Sequence, residues 1–213
     1  MKISCLINPI YETLSNLKLN LFCCNKNSVC VVIYTLSDEC YLDHKYDNCH
    51  NANTISLMIH TLSYIERNTN CCKNYAYLLQ IDRLKCIIKN LQKLLCQLKC
   101  LQYENCCFYS KVVCSLLKII ELLDTIFSQI NNIECLCESH ICCNDEIINC
   151  ILCDLNENIN LLEEEVLLLS RIIVEIACQN VINCTPCSTV KCSMVKERDY
   201  CDCSDKKLYN NKI

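Results

Sequence analysis

The chain has 213 residues, a formal net charge of -4, 26 Cys, two Pro and neither Gly nor Trp. A chain of that length suits one domain or two small ones, and the missing Gly excludes the G-x-G-x-x-G, G-x-x-x-x-G-K-[ST] and G-x-S-x-G motifs, each of which needs a backbone position that only Gly fits. Interspersed acidic and basic residues leave no basic patch for nucleic acid, and no apolar run reaches the roughly 18 residues of a membrane span.

In chain order, Asn8 followed by Pro9 reads as an N-cap with Pro at the first helical position, and Ile10, Leu14, Leu17 and Leu21 continue at helical spacing, which predicts a helix over 9–22. Residues 29–36 (VCVVIYTL) are β-branched and unbroken, the one strand signal in the chain. Residues 37–53 are polar and read as a loop, and Ile55, Met58, Ile59, Leu62 and Ile65 mark a short amphipathic helix. Leu84, Ile88, Leu91, Leu95 and Leu98 then step by 4 and 3, predicting a helix over 73–103. Val113, Leu116, Ile120, Leu123, Phe127 and Ile130 do the same over 109–133, and 134–143 reads as a linker.

The longest heptad seam occupies 144–180. Leu152, Ile159, Val166 and Ile173 fall at a, and Ile148, Leu155, Leu162, Leu169 and Ile176 at d. Leu161 and Leu168 at c with Ile151 and Ile172 at g widen the apolar face, so this helix is expected at the centre of the bundle with several neighbours. Asn144 or Asp145 caps its start. The expected fold is all-α: an antiparallel bundle of long heptad-patterned helices, one possible short strand near the N-terminus, and an irregular Cys-rich tail. The domain reading is an N-terminal region over 1–72, a long-helix bundle over 73–181 and the tail over 182–213.

The phase of the cysteines against these seams carries the functional reading. Cys86, Cys100, Cys150 and Cys178 fall at f, and Cys96, Cys114 and Cys153 at b, all away from a and d. A free Cys ordinarily behaves as a small buried hydrophobe, so outward placement makes these seven candidates for disulfides between molecules. Others gather at expected helix ends and in the tail: the vicinal pairs Cys23 and Cys24, Cys71 and Cys72, Cys106 and Cys107, Cys142 and Cys143, then Cys184, Cys187, Cys192, Cys201 and Cys203. A disulfide between sequence neighbours is strained, so each member of a pair is a candidate for bonding elsewhere. The bland alternative is that an AT-rich genome, which the abundance of Asn, Ile, Lys and Tyr resembles, scattered cysteine codons over the surface.

Metal and catalytic readings are weaker. Cys96 and Cys100 at i, i+4 form a C-x-x-x-C that resembles the helical copper-storage bundles, but those aim their thiols inward where this chain places Leu and Ile. The tail's C-x2-C-x4-C-x8-C-x-C fits a disulfide or cross-linking segment better than a zinc knot, and Cys40, Asp43, His44, Asp47, Cys49 and His50 read as a solvated polar loop. The four His (His44, His50, His60, His140) match no Cys–His catalytic pattern, no helix carries a di-iron Glu-x-x-His, and Glu163, Glu164 and Glu165 read as a solvated charge run. The expectation is no enzyme, no cofactor and no bound metal.

A Cys content above ten per cent normally marks an oxidising compartment, yet residues 1–10 hold no apolar stretch long enough for a secretory signal. Glycine-poor, AT-coded and Cys-rich without an export signal, the chain resembles in composition the cysteine-rich coat and exosporium proteins of clostridial endospore formers. That resemblance implies a self-assembling structural protein of the spore surface, made in the mother cell, its partners being copies of itself and other Cys-rich coat proteins. The alternative location is the cytoplasm, with storage of Cu(I) or Zn(II) as the alternative function.

Overall fold

A computed structural model describes residues 3–22, 26–37, 54–68, 75–101, 106–138 and 145–179. Among them are six helices and no strand: α1 (Ser4–Phe22), α2 (Lys26–Ser37), α3 (Thr54–Asn68), α4 (Tyr75–Cys100), α5 (Cys106–Glu138) and α6 (Asp145–Gln179).

The long heptad seams are where the pattern puts them. Every seam residue of α4, α5 and α6 named above is buried, and α4 carries its seam back through Ile81 and Tyr77 at a and d. Lys111 pairs with Glu175 at 2.8 Å and Lys118 with Glu165 at 3.0 Å, so α5 and α6 run antiparallel. Gln80 Nε2 donates to the Leu152 carbonyl at 3.1 Å and Arg83 Nη1 to Asn160 Oδ1 at 2.6 Å, so α4 lies parallel to α6 on its other side. On the opposite flank α1 packs antiparallel to α5, with Lys18 against Glu121 at 2.8 Å and Tyr11 bonded to Ser128. The short helices α2 and α3 pack on α1 and α4, and Lys85 reaches Glu66 of α3 at 2.6 Å. One continuous apolar core takes residues from all six helices, so the N-terminal helices share the core of the three long ones.

Four expectations are corrected. The strand predicted over 29–36 is helical. Val29, Val32, Ile33 and Leu36 stand at i, i+3, i+4 and i+7, and all are buried; a single apolar stripe to bury outweighs the weak β preference of Val and Ile. The first helix begins at Ser4, with Pro9 inside it. Ile3 and Ile7 continue the stripe of Ile10, Leu14, Leu17 and Leu21, the Ile3 carbonyl accepts from Leu6 N at 2.8 Å and Ile7 N at 3.1 Å, and exposed Pro9 removes one bond near the helix start. The expected linker over 134–143 begins inside α5, which runs on to Glu138. Finally, the enveloped helix is α5: Val112, Ile119, Ile126 and Ile133 at g and Leu117 at e are buried besides its seam. In α6, by contrast, Leu161 and Leu168 at c are exposed.

Candidate functional site

The outward cysteines sit on the three long helices. Cys86 on α4 and Cys150, Cys153 and Cys178 on α6 are exposed free thiols, and Cys96 is a half-buried one. Their exposure follows from phase: a residue at f lies opposite its own seam, and b lies next to f on the same outer side. Cys150 and Cys153 share one face near the start of α6, and Cys178 lies near its end, roughly 40 Å away at 1.5 Å per residue. Cys114 is disulfide-bonded, which withdraws it from the thiols open to a second molecule. Cys100, Cys106 and Cys107 belong to helices. Cys23, Cys24, Cys71, Cys72, Cys142, Cys143, Cys184, Cys187, Cys192, Cys201 and Cys203 lie outside the described residues, as does the polar cluster from Cys40 to His50.

Among the described thiols, three escape the heptad reading. Cys5 and Cys135 are exposed, in helical segments that begin earlier or end later than expected. Cys137 is half-buried and packed against the core. Extended past Ile130, the α5 seam places Glu134 at a and Cys137 at d, so the cysteines do not all avoid the seam.

That last heptad holds a buried carboxylate that is hydrogen-bonded to another helix. Tyr77, 3% exposed on α4, donates from its hydroxyl to Glu134 Oε1, 5% exposed on α5, at 2.8 Å. Burial, then the Glu134 carboxylate and the hydrogen bond to it, then Cys137 push the Tyr77 hydroxyl well above the usual phenol range. The phenol therefore stays protonated and serves as a donor. Close by in the sequence, Gln80 gives its amide to the α6 backbone while its Oε1 is buried without a partner, as is Asn131 Oδ1. Helix directions put Tyr77, Glu134, Cys135, Cys137, Cys150 and Cys153 at one end of the bundle, and of these thiols Cys137 acts on the buried phenol–carboxylate pair. Largely shut off from solvent, that pair ties α4 to α5.

The Glu163–Glu165 run is not uniformly solvated. Glu163 pairs with Arg83, Glu165 is buried against Lys118, and Glu164 points outward. Among the described residues no three His, Cys, Asp or Glu converge as metal ligands, and no helix is long and apolar enough to cross a membrane. The described His60 is exposed on α3. Compared with protein-family models, with curated proteins and with solved structures, the chain matches none.

Proposed function

We propose that this chain is a structural subunit that self-assembles and is then locked by disulfides between subunits into a lattice or shell, of the kind that coats bacterial spores. It is no enzyme on this reading, needs no cofactor, and has copies of itself and other Cys-rich coat proteins as partners at the spore surface. The observation that carries the reading is the position of free thiols: Cys86, Cys150, Cys153 and Cys178 stand exposed over a core closed by Leu, Ile, Val and Phe. A thiol on the outer face of a helix lies far from its own bundle's other helices, whereas a disulfide needs Cα atoms roughly 5.5 Å apart. A neighbouring molecule meets that requirement. Many such links per subunit make release depend on reducing several bonds at once.

Native material run on a gel without reductant, alongside a metal analysis of protein purified without chelators, tests the proposal. A ladder of cross-linked species that collapses to the monomer with reductant, with near-zero metal, is the expected result. A monomer without reductant, carrying several equivalents of Cu(I) or Zn(II), would overturn it in favour of storage.

A further inference from the structure

The outer face of α6 carries a patch that is complementary to itself. Leu161 (38% exposed), Leu167 (55%), Leu168 (44%) and Val174 (58%) are large apolar side chains left in solvent, with Leu161 and Leu168 at c and Leu167 and Val174 at b. Between these two edges runs the f row, where Glu164 and Arg171 are both exposed and form no ion pair with a described residue. Seven residues separate them, so they share a face yet stand roughly 10 Å apart, too far to neutralise each other.

Their order along the helix is symmetric. Leu167 and Leu168, Glu164 and Arg171, and Leu161 and Val174 each lie at equal distances on either side of the midpoint between 167 and 168. A two-fold axis through that point, relating two antiparallel copies of α6, sets Glu164 of each molecule opposite Arg171 of the other. The same axis brings Leu168 near Leu168 on one edge and Leu167 near Leu167 on the other. A parallel pairing would set Glu against Glu and Arg against Arg.

We infer that this face is the contact between two copies of the chain, an isologous dimer made by antiparallel α6 helices and centred between Leu167 and Leu168. The inference rests on the self-assembly proposed above and gives it a first step. Such a contact closes on itself and does not propagate. It sets Cys178 opposite Glu157 of the second copy, so this thiol meets no described cysteine there and acts at a second contact that joins dimers.

The test is sedimentation equilibrium of the full chain in excess reductant, where no disulfide contributes, with circular dichroism to confirm that each variant keeps its helices. The parent should be a dimer. Arg171→Glu, which puts carboxylate opposite carboxylate at both symmetric contacts, should raise the dimer Kd about tenfold or more, and Glu164→Arg should do the same. The exchange variant carrying both changes should return close to the parent value. A monomeric parent at high micromolar concentration, an unchanged Kd in the single variants, or no recovery in the exchange variant would each overturn the dimer. If the reduced chain is monomeric but native material still gives a disulfide ladder, the α6 contact fails and the structural reading stands. If the reduced dimer forms and no ladder appears, the reverse holds.

Discussion

The Tyr77–Glu134 hydrogen bond ties α4 to α5 through one buried pair of side chains. Tyr77→Phe leaves a buried carboxylate short of its donor, and the expected cost is about 1–3 kcal/mol in urea unfolding under reductant. The sign of the pH dependence follows from the raised phenol. A group whose pKa is higher folded than unfolded contributes stability fully below its unfolded value, here 10.0, and loses it as pH rises toward the folded one. The gap between parent and Tyr77→Phe should therefore hold through neutral pH and narrow above about pH 10; a gap that widens there would contradict the assignment. Thiols separate by surroundings in the same way. Under native conditions a maleimide should label Cys86, Cys150, Cys153 and Cys178 quickly and Cys137, packed against the core, much more slowly, as peptide mapping over time would show. Neither Tyr77 nor Cys137 stood out in the sequence. Tyr77 and Glu134 lie 57 positions apart, and a polar residue at a and a thiol at d look like the end of an apolar pattern, which is why the α5 seam seemed to stop near Ile130.

At the scale of elements, the long helices were legible because their seams repeat over several heptads, and a pattern sustained that long has no other geometry to satisfy. The short ones were not. In α2 a dense apolar run fits a buried strand and a buried helix equally well over so few residues, and only the packing of Val29, Val32, Ile33 and Leu36 against the other helices decides between them. In α1, Asn8 and Pro9 imitate a helix start, yet Ile3 and Ile7 have an apolar face to bury one turn earlier, so the helix forms through the proline. Pro9 is exposed. Pro9→Ala restores a backbone donor and a better helix former, and should raise the midpoint of thermal unfolding, with a gain of up to about 3 kcal/mol. At the other extreme, Leu162→Ala in the middle of the α6 seam opens a cavity among fully buried neighbours and should cost about 2–5 kcal/mol in the same assay. Far-UV circular dichroism of the parent should show helix with no appreciable β signal.

For the whole molecule, outward phase was the part of the candidate site that the sequence made visible, because exposure follows directly from heptad position. The buried end of the bundle and the symmetry of the α6 face required knowing which helices are neighbours. Changing Cys86, Cys100, Cys150 and Cys178 together to Ser should leave helix content and initial assembly intact while making the assemblies dissociate in hot detergent without reductant; variant arrays as durable as the parent's would show that other cysteines hold them. The interhelical ion pairs have a separate consequence. A core of interchangeable Leu, Ile and Val says little about which helix belongs beside which, whereas Lys18–Glu121, Lys85–Glu66, Arg83–Glu163, Lys111–Glu175 and Lys118–Glu165 each join two different helices. Those open to solvent contribute little stability, typically about 1 kcal/mol or less each, but a shuffled arrangement forfeits all five. They act as an address code for the helices, and one written in ink that salt dissolves, since screening at 1 M shortens the reach of a charge to roughly 3 Å. Concentrated salt should then leave the correctly folded molecule standing and corrupt the proofreading of a chain that refolds in it.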